Sequence, residues 1–191
     1  MQNYKRVQAD YSRYYRQVTA NLQRDNAGNI LGGQEAFLPP ESQRQLRAQR
    51  ERVRDLEGKI RKEFDYALRT DPRNYSAAYG HAQLRFLGGE DRLEEAVEWL
   101  VKTVRIHPGH IDALNDLGAA YIRLGKYRDA ARVLRDATNR EERADLHYNL
   151  GLALFFLNDQ PGARMHFSRA LNKGSPGVRT GEVYYLSLIH I

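Results

Sequence analysis

The sequence predicts an all-α protein, an α-solenoid of stacked antiparallel helix pairs with an N-terminal helical extension. Three observations support this fold class. Several columns of residues recur 33 or 34 positions apart, which is the signature of a repeat array. Within each copy, apolar residues return every three or four positions, as on one face of a helix. Glycine and proline occur between these stretches, where turns would separate the helices.

The composition limits the class of protein. The 191 residues include no cysteine, which excludes disulfides, thiolate catalysis and cysteine-ligated zinc. No apolar run is long enough to predict a membrane-spanning helix, and the tyrosine-rich N-terminus lacks the apolar stretch of a signal peptide. We therefore expect a cytoplasmic protein, provided that Met1 is the true start. The net charge of +6 lies mainly in residues 1–70, which hold 14 Lys and Arg against 9 Asp and Glu.

Residues 1–40 are predicted to form an extension of one helix and one loop. Tyrosine and valine recur at three- and four-residue steps over residues 4–18, which predicts an amphipathic helix. The glycines and asparagines of residues 25–33 predict the loop. Pro39 and Pro40, followed by Glu41 and Ser42, predict the start of the next helix.

Residues 41–72 are predicted to form a long basic helix that leads into the array. Leu46, Val53, Ile60 and Ala67 are spaced by seven positions, as in a coiled-coil seam. Too few heptads are present to predict pairing, so an extended helix is the preferred interpretation.

Residues 73–176 contain three predicted repeats, at about 74–108, 109–142 and 143–176. The second and third copies agree most closely, because small and large residues at equivalent places are 33 positions apart. The matching pairs are Gly118 and Gly151, Ala130 and Ala163, and Leu134 and Phe167. Glycine inside a helix costs about 1 kcal/mol relative to alanine, so two at matching positions indicate a packing requirement.

The first copy is looser than the other two. We align Tyr79, Ala82 and Phe86 with its first helix. This alignment puts Gln83 where the other copies have glycine, and it makes the loop at residues 88–91 one residue longer.

Turn residues separate the predicted helices. Gly125 and Asn158 begin turns at matching positions of the second and third copies. Pro72 and Pro108 stop helices, because proline lacks a donor and constrains the residue before it.

These residues resemble the tetratricopeptide repeat family, whose pattern is a large residue, then Leu-Gly, Tyr, Ala, Phe and Pro over about 34 residues. The resemblance covers roughly residues 55–176 and is most specific over residues 111–172. It implies a superhelix of antiparallel helix pairs in which the first helices line a concave groove. It also implies that Gly118 and Gly151 let the paired helices approach closely, while Leu134 and Phe167 fill the space between them.

The resemblance assigns particular side chains to this groove. In the second repeat they are Asp112, Asn115, Ala119, Ile122 and Arg123. In the third repeat they are Asp145, Tyr148, Leu152, Phe155 and Phe156. Such a groove would suit an extended peptide or a helix with aromatic and arginine anchors. Phe155 or Phe156 could instead pack between repeats. Asp112 and Asp145 disfavour the capture of a C-terminal carboxylate, which some relatives perform.

No motif predicts catalysis, a cofactor or a metal. His107 and His110 would need further ligands, since zinc sites use three or four, and a turn is the preferred interpretation. His147 and His166 occupy packing positions of the repeat, which favours buried histidines. Residues 28–33 lack the Lys-Ser/Thr of a phosphate loop, and neither His-Glu-x-x-His nor Gly-x-Ser-x-Gly occurs.

Residues 177–191 are predicted to begin a further repeat that stops inside its first helix. Residues 186–191 break the pattern and read as a translation of the codons CTG TCT CTT ATA CAC ATC, which resemble a transposon end used in sequencing libraries. We therefore expect a non-native tail and a native protein that continues with more repeats or another domain.

The leading functional hypothesis is a non-enzymatic scaffold that binds a protein or peptide in its groove. The alternative is a substrate-recruiting or regulatory arm of a larger enzyme whose catalytic domain is missing from this fragment. Nucleic-acid binding by the arginine-rich residues 44–62 ranks last, because aromatic residues are not interleaved and six acids share residues 41–65. We expect no membrane partner.

Overall fold

The computed structural model describes residues 40–86 and 90–174, which form seven α-helices and no strand. The helices are α1 (Pro40–Thr70), α2 (Tyr75–Phe86), α3 (Leu93–Ile106), α4 (Ile111–Arg123), α5 (Tyr127–Arg140), α6 (Ala144–Phe156) and α7 (Gln160–Lys173). A short 3₁₀ turn, Glu90–Arg92, precedes α3. The all-α prediction is confirmed for this part of the chain. The predicted N-terminal helix and loop, the further repeat and the tail lie outside the described residues.

The chain divides into two compact units between Arg69 and Thr70. The first unit contains α1 up to Arg69, and α1 ends at Thr70, before the end predicted for the long helix at residue 72. Within α1, Lys59 and Asp55 form an exposed ion pair one turn apart, with Nζ 2.7 Å from Oδ2. No helix in the described ranges combines the length and the apolar character needed to cross a membrane.

The second unit contains three helix pairs, α2 with α3, α4 with α5, and α6 with α7. Each helix packs against the next one in the chain, and α4 also packs against α6. The first helices of the last two pairs are therefore neighbours. Alanine and leucine side chains from all six helices fill the buried interior.

Two glycines allow the helices of the last two pairs to approach closely. A methyl group added at Gly118 would lie 2.4 Å from Cγ of Leu134, and one added at Gly151 would lie 2.6 Å from Cδ1 of Phe167. Both distances are shorter than van der Waals contact allows, and both large side chains are fully buried. The predicted packing role of these glycines is confirmed.

The first repeat has a register different from the one we predicted. Helix α2 begins at Tyr75, and from that start the buried residues of α2 fall at the same places as those of α4. Ala82 therefore matches Gly118, and the predicted alignment of Gln83 with glycine is wrong. Ala82 and Ala96 are 14 positions apart, whereas Gly118 and Ala130 are 12 apart. The connection is thus two residues longer, not one.

The backbone dihedral angles at the predicted turns are those that glycine and asparagine favour. Gly125 has φ of 71° and Asn158 has φ of 62°, which is the left-handed region that glycine and asparagine tolerate best. His110 accepts a hydrogen bond at Nδ1 from the N–H of Ala113, 3.2 Å away, and thereby caps α4. The predicted turn between His107 and His110 is confirmed.

Candidate functional site

The ten predicted groove residues lie on α4 and α6, two helices that pack side by side. Asp112, Arg123 and Phe156 are exposed, and the other seven are half-buried. On each helix they recur at steps of one, three or four residues, which puts them on one face. The corrected register adds Tyr79, which takes the same place on α2 as Asn115 on α4. These residues form one face on α2, α4 and α6, the first helices of the three pairs, and we call it the groove face.

A polar network occupies the end of the groove face where α4 and α6 begin. The guanidinium of Arg143 lies 2.7 Å from Oδ1 of Asp112, and it makes two bonds to Asp145, at 2.7 and 3.1 Å. These bonds raise the pKa of Arg143 above its usual range. Arg143 directly precedes α6, and sequence reasoning missed it because it stands outside the periodic part of the helix.

Side-chain amides continue this network between the helices. Asn115 donates to Oδ2 of Asp145 over 3.3 Å and accepts from Nδ2 of Asn149 over 2.9 Å. On the other side of α4, the phenol of Tyr79 donates to Oδ2 of Asp116 over 2.7 Å. The three first helices are therefore joined by hydrogen bonds along the groove face.

Asp116 is a half-buried acid of this network. Burial raises the pKa of its carboxyl to about 6, the bond from Tyr79 opposes the rise, and the charges of Asp112 and Asp145 add to it. Sequence reasoning missed Asp116. The sequence did contain a signal, because this acidic residue is flanked by residues that face the groove or the core. Asn149 occupies the equivalent position in the next repeat.

Aromatic side chains occupy the opposite end of the groove face, where α6 ends. Phe156 is 50% exposed, and its ring stacks on Tyr127 of α5 with centroids 4.6 Å apart and planes at 15°. Phe155 packs against the buried interior and meets Phe156 edge to face at 5.6 Å. Of the two phenylalanines, Phe155 is half-buried against the interior and Phe156 is the more exposed. The guanidinium of Arg123 lies 5.2 Å from the ring centroid of Phe86, which connects α4 with α2.

A second buried polar contact lies away from the groove face. His147 of α6 and His166 of α7 are both buried, with their Nδ1 atoms 2.9 Å apart. Burial, and to a smaller extent the neighbouring His147, lowers the pKa of His166 to about 4. The prediction of buried histidines is confirmed. Within residues 40–86 and 90–174, no three His, Asp or Glu side chains are arranged to hold a metal ion.

Sequence comparison identifies the repeats. Residues 115–178 match a family model described as the tetratricopeptide repeat. Over these residues the chain is similar to the tetratricopeptide repeat family. None of the curated protein sequences compared with it matches.

Solved structures share the tetratricopeptide fold. The crystal structure of MamA aligns with a TM-score of 0.61 and 19% identity, over 72% of this chain and 78% of that chain. A fragment of MamA from Desulfovibrio magneticus RS-1 aligns with a TM-score of 0.55 and 20% identity, over 75% and 77%. YrrB, a TPR protein with an unusual peptide-binding site, aligns with a TM-score of 0.56 and 22% identity, over 65% and 62%. At these identities the likeness shows the fold of the tetratricopeptide array.

Proposed function

We propose that this tetratricopeptide array is a non-enzymatic scaffold that binds a protein or peptide segment on its groove face. The observation that carries the proposal is Phe156, a large apolar side chain that is 50% exposed and stacked on the ring of Tyr127. Rigid exposed aromatic residues lose little conformational freedom on binding and often dominate the energy of an interface.

Two further features support a binding role for the groove face. Leu152 and Ile122 are half-buried beside the aromatic end, so a partner would meet apolar surface on both α4 and α6. Hydrogen bonds between the first helices hold these rows in a fixed arrangement before any partner arrives. A preorganised surface binds with a smaller entropic cost. The alternative, a recruiting or regulatory arm of a larger enzyme, would use the same surface.

Peptide selection on the purified chain tests the proposal. A display library of short random peptides is selected against the chain, and the binding of selected peptides is measured by fluorescence anisotropy. Phe156→Ala should weaken their binding by about ten-fold or more, the range of a hot-spot residue. Met165→Ala is the matched control, because Met165 is a similarly exposed apolar residue on α7, outside the groove face. Equal effects of the two substitutions would argue against the groove face.

A further inference from the structure

The beginning of the groove face has an excess of negative charge. Asp112, Asp116 and Asp145 lie together, and Arg143 is the cation that pairs with the first and last of them in the described part of the chain. Burial lowers the pKa of His110, which disfavours a compensating positive charge on its imidazole. Even when the N-terminal ends of α4 and α6 are counted as about half a positive charge each, the sum stays negative.

These carboxylates remain accessible to a partner. The side chains of Asp112 and Asp145 are 56% and 34% exposed, although both are bonded to Arg143. Tyr148 stands one helical turn after Asp145 on the same face, and Tyr79 stands at the equivalent place on α2. Carboxylates beside tyrosine rings are the surroundings that a lysine or arginine side chain prefers, through ion pairing and cation–π contact.

The acidic and aromatic ends of the groove face lie a fixed distance apart. Phe156 follows Asp145 by 11 residues on the same helix. At a rise of about 1.5 Å per residue, the two side chains are separated by about 16 Å along the axis. An extended peptide covers about 3.3 Å per residue, so about five residues span this distance.

We infer that the groove face takes a peptide segment in which a lysine or arginine and a bulky apolar residue are separated by four or five positions. The inference rests on the proposed function, since it names the partner of the same surface. The basic residue pairs with the exposed carboxylates of Asp112 and Asp145 beside the guanidinium of Arg143, and the apolar residue packs on Phe156. A segment with an acidic residue in place of the basic one is repelled by the same carboxylates.

The peptides selected from the library test this inference. They should carry a basic and a bulky apolar residue at the stated spacing. Replacing the basic residue of a selected peptide with alanine should weaken its binding to the wild-type chain about ten-fold, and the loss should grow smaller as salt decreases the ionic contribution.

Variants of the chain locate the basic residue of the peptide. Asp112→Asn should remove most of the difference between the lysine and alanine peptides, which is the interaction that a double-mutant cycle measures. Asp136→Asn is the control, because it changes the net charge equally on an exposed acid of α5. Arg143→Gln should strengthen the binding of the basic peptide, since it removes the competing cation.

The outcomes separate the inference from the proposed function. Selected peptides that need Phe156 but are neutral or acidic, or that respond equally to Asp112→Asn and Asp136→Asn, would overturn the inference and leave the proposed function standing. If no selected peptide depends on Phe156, the proposed function is wrong and the inference fails with it.

Discussion

The paired helices approach each other closely at Gly118 and Gly151. Replacing Gly118 with alanine puts a carbon 2.4 Å from Cγ of Leu134, a fully buried side chain. Overpacking of this kind costs about 1–3 kcal/mol. We therefore expect Gly118→Ala to lower the free energy of unfolding by that amount, measured by urea denaturation.

A third glycine gives the matched control for this prediction. Gly58 also lies inside a helix, and a methyl group there would meet no atom within 4 Å. Gly58→Ala should therefore strengthen α1 by about 0.5–1 kcal/mol through the higher helix propensity of alanine. An array with Gly118→Ala that is as stable as the wild type would contradict the packing role of the glycine.

His166 makes the stability of the last repeat depend on pH. The pKa of its ring is lowered from 6.5 to about 4 by burial and by His147. Between these values the unfolded chain binds a proton that the folded chain does not, so the free energy of unfolding falls as pH drops from 6.5 to 4. After allowance for solvent screening, we expect a loss on the order of 1–2 kcal/mol.

Urea denaturation at several pH values checks this expectation. His166→Phe should show a smaller loss than the wild type over the same range, because the titrating ring is gone. Asp116 has a raised pKa and gives the opposite trend in both proteins, so their difference isolates His166. His107→Gln, on an exposed histidine, should keep the wild-type slope. An unchanged slope in His166→Phe would show that another group is responsible.

Helix α6 is apolar nearly all round because it packs against three other helices, α4, α5 and α7. This environment explains why the sequence could not distinguish Phe155 from Phe156. A single residue step turns the side chain by about 100°, which separates the half-buried Phe155 from the exposed Phe156. Such a helix has no distinct polar face, so the positions of its apolar residues do not indicate which side is exposed.

The two phenylalanines of α6 should therefore differ in their effect on stability. Phe155→Ala removes a ring that packs against the interior, and we expect a loss of about 2–3 kcal/mol in the free energy of unfolding. Phe156→Ala removes the stack on Tyr127 and should cost no more than about 1 kcal/mol. Thermal denaturation followed by circular dichroism compares them. Equal losses would mean that Phe156 is a packing residue as well.

The regular elements of the second and third repeats could be predicted because each turn and close contact depends on a local residue type, such as Gly118 or Gly125. The first repeat could not be read as well. Tyr79 looked like the large packing residue of the pattern, but its hydroxyl donates to Asp116 on α4, the first helix of the next pair. The network around Arg143 was missed for a related reason. The spacing of residues in a single sequence predicts helices, but it does not predict which polar residues of adjacent repeats contact each other.

At the scale of the whole array, stability depends on contacts between adjacent repeats. Arg143 joins the starts of α4 and α6 through Asp112 and Asp145. Arg143→Met should leave these two carboxylates without their guanidinium and weaken this connection by about 1–2 kcal/mol. We expect faster amide hydrogen exchange in α6 and α7 than in the wild type.

Another arginine provides the control for the array. Arg140 pairs with Asp136 one turn away on the same helix, so Arg140→Met removes a similar charge without a contact between repeats. Its exchange pattern should resemble that of the wild type. If both variants change α6 and α7 equally, Arg143 contributes general charge and not a connection between repeats.

The contact between His147 and His166 has a consequence for where protons lie inside the array. When both imidazole rings are neutral, a hydrogen bond between their Nδ1 atoms requires one ring to carry its proton on Nδ1 and the other to carry its proton on Nε2. Nε2 of His147 lies 3.4 Å from Oε2 of Glu142, a carboxylate at the surface. That negative charge favours the Nε2 tautomer of His147 and so the Nδ1 tautomer of His166. An exposed acid thus selects the tautomers of two imidazoles in the interior, a difference that nitrogen chemical shifts can record.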